Sequence, residues 1–428
     1  MNNYFYFFIL LLLFYNLKTL LFLTLKIYIS NTKMFAFKKI LVLVFTLSSS
    51  IINSTSLLYC DARPICKNLS HQHAQYAQQS VNSLHASNDI KYIPNLSKAS
   101  ITNSYNTHIY PVVLLHGIIS DHTELLPVVK WLEANTPNPV FNLDIGNGKI
   151  DSIFKPMAWQ LEELCNTIYG IEELRGGFHF IGMSQGGLLA RGYVEKCNYF
   201  PVINLITWVS PHAGVYGLGN IDNIDLKRIY TPLYQRMYSF AGYFKDPFRY
   251  KEYLQMASFL PDLNNEIVNY NSNIITNTNI NTRGDDKNNE NNNEENALFN
   301  YIYNFENNRN NMLSLQNFVM IWSSEDEILN PPASAMFSFF EINDNKYKNV
   351  ADIYNFTANT RDVMDILGFQ LPVIDLFDSV QFKDDLIGLK TLWQTGRLHI
   401  FQTNCTHAGH KTEACFPQME NLTFPFLF

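Results

Sequence analysis

The residues of this chain best arranged to do chemistry are Gly182-Met183-Ser184-Gln185-Gly186, with Gly187 directly behind them. A serine set between two glycines can ride a sharp turn that pushes its hydroxyl into solvent, provided a strand enters the turn and a helix leaves it. Phe178-His179-Phe180-Ile181 is aromatic and β-branched like a buried strand, and Gly187-Leu188-Leu189-Ala190-Arg191-Gly192-Tyr193-Val194 has helical apolar spacing. The turn between them reads as a nucleophile elbow. A serine hydroxyl is a weak nucleophile at neutral pH, so it needs a general base, usually histidine, held in its tautomer by a carboxylate. In such a scaffold the chain order is serine, acid, histidine. Asp326, flanked by Glu325 and Glu327, satisfies the second place, and His407 and His410 satisfy the third. His399 lies inside a strand-like run and reads as a packed or solvent-facing residue. The oxyanion formed during acyl transfer needs backbone N–H donors, expected from Gln185, directly after the serine, and from Ile118, after His116-Gly117.

These groups need a scaffold, and the apolar runs describe one. Pro111-Val112-Val113-Leu114-Leu115 is a strand-length apolar run, and Leu125 to Leu132 follows with Val128, Val129 and Leu132 on one helical face. Val140 to Ile145 is the next strand, Met157 to Ile168 the next helix, and the elbow strand comes after it. Val202 to Val209, Phe318 to Trp322 and Leu398 to Phe401 complete the strands. Continuous apolar strands alternating with helices indicate an α/β chain, with a mostly parallel central sheet covered by helices on both faces. The hydrolase domain is expected over 108–428, interrupted by a lid of short amphipathic helices at about 214–263, rich in tyrosine, phenylalanine and methionine. A disordered asparagine-rich insertion, too polar to bury a core, is expected at about 264–311.

Ahead of this core the character changes. Residues 1–60 are hydrophobic, with Lys38-Lys39 before Ile40 to Phe45 and small serines behind, the pattern of a signal peptide starting at Met34, or else of a membrane anchor over the first run. Residues 61–107 are polar and read as a linker. Secretory entry permits disulfides among the six cysteines. Cys165 and Cys197 stand on the helices before and after the elbow strand, Cys405 and Cys415 lie close together, and Cys60 and Cys66 remain. Asn-x-Ser/Thr sequons at Asn53, Asn68, Asn95, Asn355, Asn404 and Asn421 agree with a secreted glycoprotein. A formal charge of −7 without a basic stripe argues against a nucleic-acid partner. No metal cluster, phosphate loop or dinucleotide fingerprint appears, so no metal and no cofactor is implied.

The sequence resembles the palmitoyl-protein thioesterases, lysosomal α/β-hydrolases that remove fatty acyl groups from cysteine. Val113-Leu114-Leu115-His116-Gly117, Gly182-Met183-Ser184-Gln185-Gly186-Gly187, Ile203-Asn204-Leu205-Ile206 and His212-Ala213-Gly214-Val215-Tyr216-Gly217-Leu218 carry the resemblance, in the family's order. It implies a Ser184, Asp326, His407 triad. Asp326, followed by Pro331 and the aromatic Phe337-Ser338-Phe339-Phe340, resembles the family's acid loop. Gly388-Leu389-Lys390 and the interval to His407 resemble the segment before its histidine, although spacing counted back from Pro425-Phe426-Leu427 favours His410. It also implies a Cys165–Cys197 disulfide, seen in one branch of the family. The expected activity is hydrolysis of long-chain acyl thioesters, either S-acylated proteins or acyl-CoA, with the lid as a contact to a membrane surface and a lysosome-like or secreted destination. An oxygen-ester lipase would use the same triad, and a non-catalytic acyl-lipid carrier would lack one of its members.

Overall fold

A computed structural model of the protein describes residues 109–218, 225, 227–267, 306–342 and 370–428. The expected N-terminal signal or anchor, the linker, Cys60 and Cys66, and most of the asparagine-rich insertion lie outside the described residues. The strands are β1 (Val112–Leu115), β2 (Val140–Leu143), β3 (Phe178–Met183), β4 (Val202–Trp208), β5 (Asn317–Ser323), the short β6 (Phe339–Phe340) and β7 (Val373–Ile374), and β8 (Leu398–Thr403). Six of them form one parallel sheet in the order β2-β1-β3-β4-β5-β8, while β6 and β7 pair antiparallel on their own. The fold is α/β, an α/β-hydrolase sheet with the elbow strand β3 near its middle.

Burial explains why the strands are apolar throughout. Every residue of β1 and β3 is buried. Alternate side chains enter different cores: Val113, Leu115, Phe178, Phe180, Leu205 and Phe318 on one face, Val112, Leu114, Ile181, Ile206, Val319 and Ile321 on the other. Helix α1 (Leu126–Asn135) covers the second face with Val128, Trp131 and Leu132, and Trp131 stacks on Phe416 and Phe424 near the C-terminus. Helices α2 (Lys149–Phe154), α3 (Met157–Tyr169) and α4 (Gln185–Gly192) lie between β2 and β4 in the chain, and the latter two bury Leu161, Leu164, Ile168, Leu188 and Leu189 in the first core. Past α4 a π-helical turn, Tyr193–Cys197, ends at Asn198 in the left-handed conformation (φ 43°).

The structure describes parts of two segments read from composition. The segment expected as a lid does contain short helices, Pro232–Met237, Tyr250–Met256 and Leu260–Leu263, but its aromatic residues are built into the molecule. Tyr230, Phe240, Tyr243, Phe244, Phe248, Tyr253 and Phe259 are buried in the same core as β1 and β3, whereas Leu233, Met237 and Met256 are exposed. Of the segment expected as an asparagine-rich insertion, residues 264–267 and 306–311 are described. Asn264, Asn265 and Glu266 are buried, residues 306–313 are helical, and Asn308 is buried among them. Asparagine composition disfavours an apolar core, yet a buried carboxamide is stable where it completes the hydrogen bonds of another buried polar group. Asn264 does so twice, accepting from Arg191 Nη2 (2.7 Å) and donating to the His212 carbonyl (3.0 Å).

Candidate active site

The elbow is held in a conformation that only tight surroundings enforce. Ser184 has φ 55° and ψ −127°, a region non-glycine residues avoid at a cost of about 1–3 kcal/mol. Its N–H donates to the Trp208 carbonyl of β4 (2.8 Å), and its carbonyl accepts from Gly187 N (3.0 Å). The flanking glycines are steric requirements. A Cβ on Gly182 would lie 2.6 Å from the Gly186 carbonyl oxygen, and one on Gly186 would run into the carbonyl oxygens of Leu115 and His116. The helix after the serine can press against β1 and β3 only because these side chains are missing.

Asp326 sits where β5 ends, its side chain fully buried. Its Oδ1 accepts from the backbone N–H groups of Ile328 and Leu329, each at 2.9 Å, and its Oδ2 lies 2.8 Å from Nδ1 of His407. A carboxylate so placed accepts a proton-bearing Nδ1, which leaves Nε2 as the basic nitrogen of the ring. His407 stands in the loop after β8. Its backbone N–H donates to Glu327 Oε2 (3.0 Å), and the loop is spanned by a Cys405–Cys415 disulfide with Cα atoms 6.1 Å apart. Ser184 and His407 line one cavity of about 330 Å³ together with Gly117, Ile118, Ile119, Leu218 and Ile328.

The other sequence candidates fall elsewhere. His410 is fully buried, with Nε2 against Thr403 Oγ1 (2.8 Å) and Nδ1 against the Thr406 carbonyl (2.8 Å), and burial holds its pKa below the usual histidine value. His399 bonds Asn317 Oδ1 across to β5 (2.8 Å), and Glu325 donates its backbone N–H to Ser323 Oγ. Ile118 lines the cavity, and Gln185 begins α4 beside the serine. The Gln185 side chain is buried, its Nε2 donating to the Ser152 carbonyl (2.8 Å) and Gln160 Oε1 (3.0 Å) and its Oε1 accepting from Tyr243 OH (3.0 Å). Cys165 of α3 and Cys197 are joined by a disulfide with Cα atoms 6.2 Å apart.

Some parts of the site were not legible in the sequence. Lys411 pairs with Glu124, which also binds Lys149 (3.1 Å), so an ion pair links the histidine loop to the 3-10 turn after β1. His116 is buried beside the elbow, Nδ1 against the Gly117 carbonyl (2.9 Å), with burial lowering its pKa. Its Nε2 is 3.2 Å from Asp144 Oδ1 without hydrogen-bonding geometry. A His-Gly pair at a strand end carries no signal for such roles. Among the described residues no group of histidine, cysteine and carboxylate side chains could hold a metal ion, and of the expected lid's described residues Leu218 alone lines the cavity.

The family model for palmitoyl protein thioesterase matches residues 111–283 and 285–407, which spans the elbow, the acid loop and the histidine loop. Palmitoyl-protein thioesterase 3 of Dictyostelium discoideum is 32% identical over 324 residues, 74% of this chain and 92% of the relative. A lysosomal thioesterase homologue of Drosophila melanogaster is 28% identical (71% and 86% covered), and palmitoyl-protein thioesterase 1 of Caenorhabditis elegans 26% (69% and 86%). Among solved structures, a bacterial membrane phospholipase A aligns over 75% of this chain and 80% of its own at 14% identity, with a TM-score of 0.31. The assignment rests instead on the family match, the relatives and the sheet order. The elbow between β3 and α4, the acid loop after β5 and the histidine loop after β8 all stand within the matched residues, and the chain belongs to the palmitoyl protein thioesterase family.

Proposed function

We propose that the protein hydrolyses long-chain fatty acyl thioesters through an acyl-enzyme, with Ser184 as nucleophile, His407 as general base and then acid, and Asp326 orienting the imidazole. The observation that carries this reading is the pairing of Asp326 Oδ2 with His407 Nδ1 at 2.8 Å on the wall of the cavity that Ser184 enters. His407 Nε2 takes the Ser184 proton as Oγ attacks the thioester carbonyl, and the backbone N–H groups of Ile118 and Gln185 receive the oxyanion. Collapse breaks the C–S bond, and the sulfur takes the proton from the His407 imidazolium and leaves as the thiol, a step that needs little acid help because a thiol has a pKa of about 8.5. His407, basic again, then deprotonates the water that attacks the acyl-enzyme, and it returns that proton to Ser184 Oγ as the fatty acid leaves. The apolar walls around Ser184 suit an acyl chain, and the family's relatives named as palmitoyl-protein thioesterases support a palmitoyl-like chain.

A secretory or lysosomal location is part of the same reading. Two disulfides bridge described residues, the sequon asparagines Asn404 and Asn421 are exposed, and the Drosophila relative is named a lysosomal thioesterase homologue. No helix among the described residues is long and apolar enough to cross a membrane. The test is hydrolysis of a palmitoyl thioester against the matching oxygen ester by purified protein starting near Asp61, with Ser184→Ala as control. Thioester turnover should exceed ester turnover, and Ser184→Ala should retain less than about a thousandth of it. A Ser184→Ala protein at wild-type rate would remove the nucleophile assignment, and a preference for the oxygen ester would make the enzyme a lipase.

A further inference from the structure

We propose that Ile119 is a specificity-determining residue: its side chain, held at the mouth of the Ser184 cavity, packs on the acyl chain and sets the preference for long chains. The proposal rests on the acyl thioesterase reading above and adds to it the residue that reads the acyl group. Ile119 has φ 56°, and a β-branched side chain is disfavoured in that left-handed region more than most. Such a conformation persists only where the flanking structure imposes it. Both flanks do so here. His116, before the turn, is buried with Nδ1 against the Gly117 carbonyl, and Gly117 itself packs so closely that a Cβ there would lie 3.0 Å from Ser184 Cβ. After the turn Ser120 is buried, and Asp121 caps the next 3-10 turn by accepting from Thr123 N (2.9 Å).

The turn is therefore fixed, yet the side chain it displays is 49% exposed. A strained backbone that leaves half an isoleucine in water gains only part of that side chain's packing in the free protein. It gains contact once an apolar group fills the cavity, whose lining includes the apolar Ile118, Leu125, Met183, Leu218 and Ile328. Of the charged residues on that wall, Glu124 and Lys411 bind each other. The apolar half of the substrate is the acyl chain, so it is the chain that covers Ile119.

The experiment compares palmitoyl and butanoyl thioesters with the purified protein and its Ile119→Ala and Ile119→Gly variants. Alanine keeps the backbone strain and glycine relieves it, but both remove the apolar contact. The palmitoyl-to-butanoyl ratio of kcat/KM should fall roughly five- to tenfold in both, the effect of uncovering about half an isoleucine side chain. An unchanged ratio in either variant overturns the proposal. So does an equal fall for both substrates, which would place the effect on the neighbouring Ile118 N–H. Ser184→Ala is measured alongside: a protein fully active without that hydroxyl would overturn the thioesterase mechanism, a failure distinct from an unchanged chain-length ratio.

Discussion

Replacing His407 and His410 one at a time separates chemistry from scaffold, because the two rings sit three residues apart and are held by different partners. His407→Ala removes the imidazole that faces Asp326 Oδ2 at 2.8 Å and shares the cavity with Ser184. Loss of a triad base costs roughly 10³- to 10⁶-fold in kcat, or about 4–8 kcal/mol of transition-state stabilisation. Stability should change little, since the ring borders a cavity rather than the core. His410→Ala has the opposite profile. It deletes the hydrogen bonds to Thr403 Oγ1 and the Thr406 carbonyl and leaves a hole where no solvent reaches, worth about 2–4 kcal/mol of stability. The folded protein should keep its rate within about tenfold, the loss coming from a looser loop under His407. Palmitoyl thioester hydrolysis gives the rate, a fluorophosphonate probe reports serine reactivity, and urea denaturation gives the stability. A dead His410→Ala at native stability beside an active His407→Ala would refute the assignment and restore the spacing argument from the C-terminus.

Peptide mapping without reduction should recover Cys165 and Cys197 linked, and replacing both by serine should lower stability by about 3–4 kcal/mol, as expected for a closed loop of 32 residues; two free thiols in secreted protein would be the contrary result. His179, buried against Tyr110 and Asn204, has its pKa lowered to about 4 by desolvation. The unfolded chain takes up that proton near pH 6.5 and the folded protein does not, so stability is lost as pH falls from about 6.5 to about 4, by up to about 3 kcal/mol. His179→Asn should flatten that decline in urea midpoints measured from pH 7 to pH 4.5, and an identical decline in both proteins would count against it.

The central sheet was legible because its strands are buried on both faces, which leaves runs such as Val112 to Leu115 and Phe178 to Ile181 with no polar residue but His179 to obscure them. The elbow was legible for a steric reason: Gly182 and Gly186 stand where any Cβ meets backbone, so composition reports geometry directly there. The choice of Asp326 over Glu325 and Glu327 could not be made from residue type. Its side chain is the one turned inward onto two backbone donors and His407, whereas Glu327 reaches round to the His407 backbone and Glu325 faces solvent. The lid and the asparagine-rich insertion were read by composition alone. Composition averages over a segment, and it cannot mark the few polar residues, Asn264 and Glu266 among them, that long-range partners draw into the core.

Those partners also bear on how the protein meets acid. Arg191, one turn along the elbow helix from Ser184's neighbours, is fully buried with Glu195 at 3.0 Å and Asn264 at 2.7 Å, and Lys245 pairs with the buried Glu266 at 2.8 Å. Burial outweighs the attraction of Arg191 and pushes the Glu195 pKa up to about 7. A carboxyl raised in this way adds stability that is fully present below its unfolded pKa near 4.5 and is lost as pH rises through about 7. His179 works in the opposite direction, stabilising least in acid. Over the range between neutrality and a lysosomal pH the two groups offset each other, and when Glu195 takes up its proton Arg191 still has the Asn264 carbonyl as a partner. The network under the elbow can therefore change its protonation without releasing the segment that runs from Tyr243 to Glu266, so the elbow helix that carries Arg191 keeps its packing in the acidic compartment proposed for it.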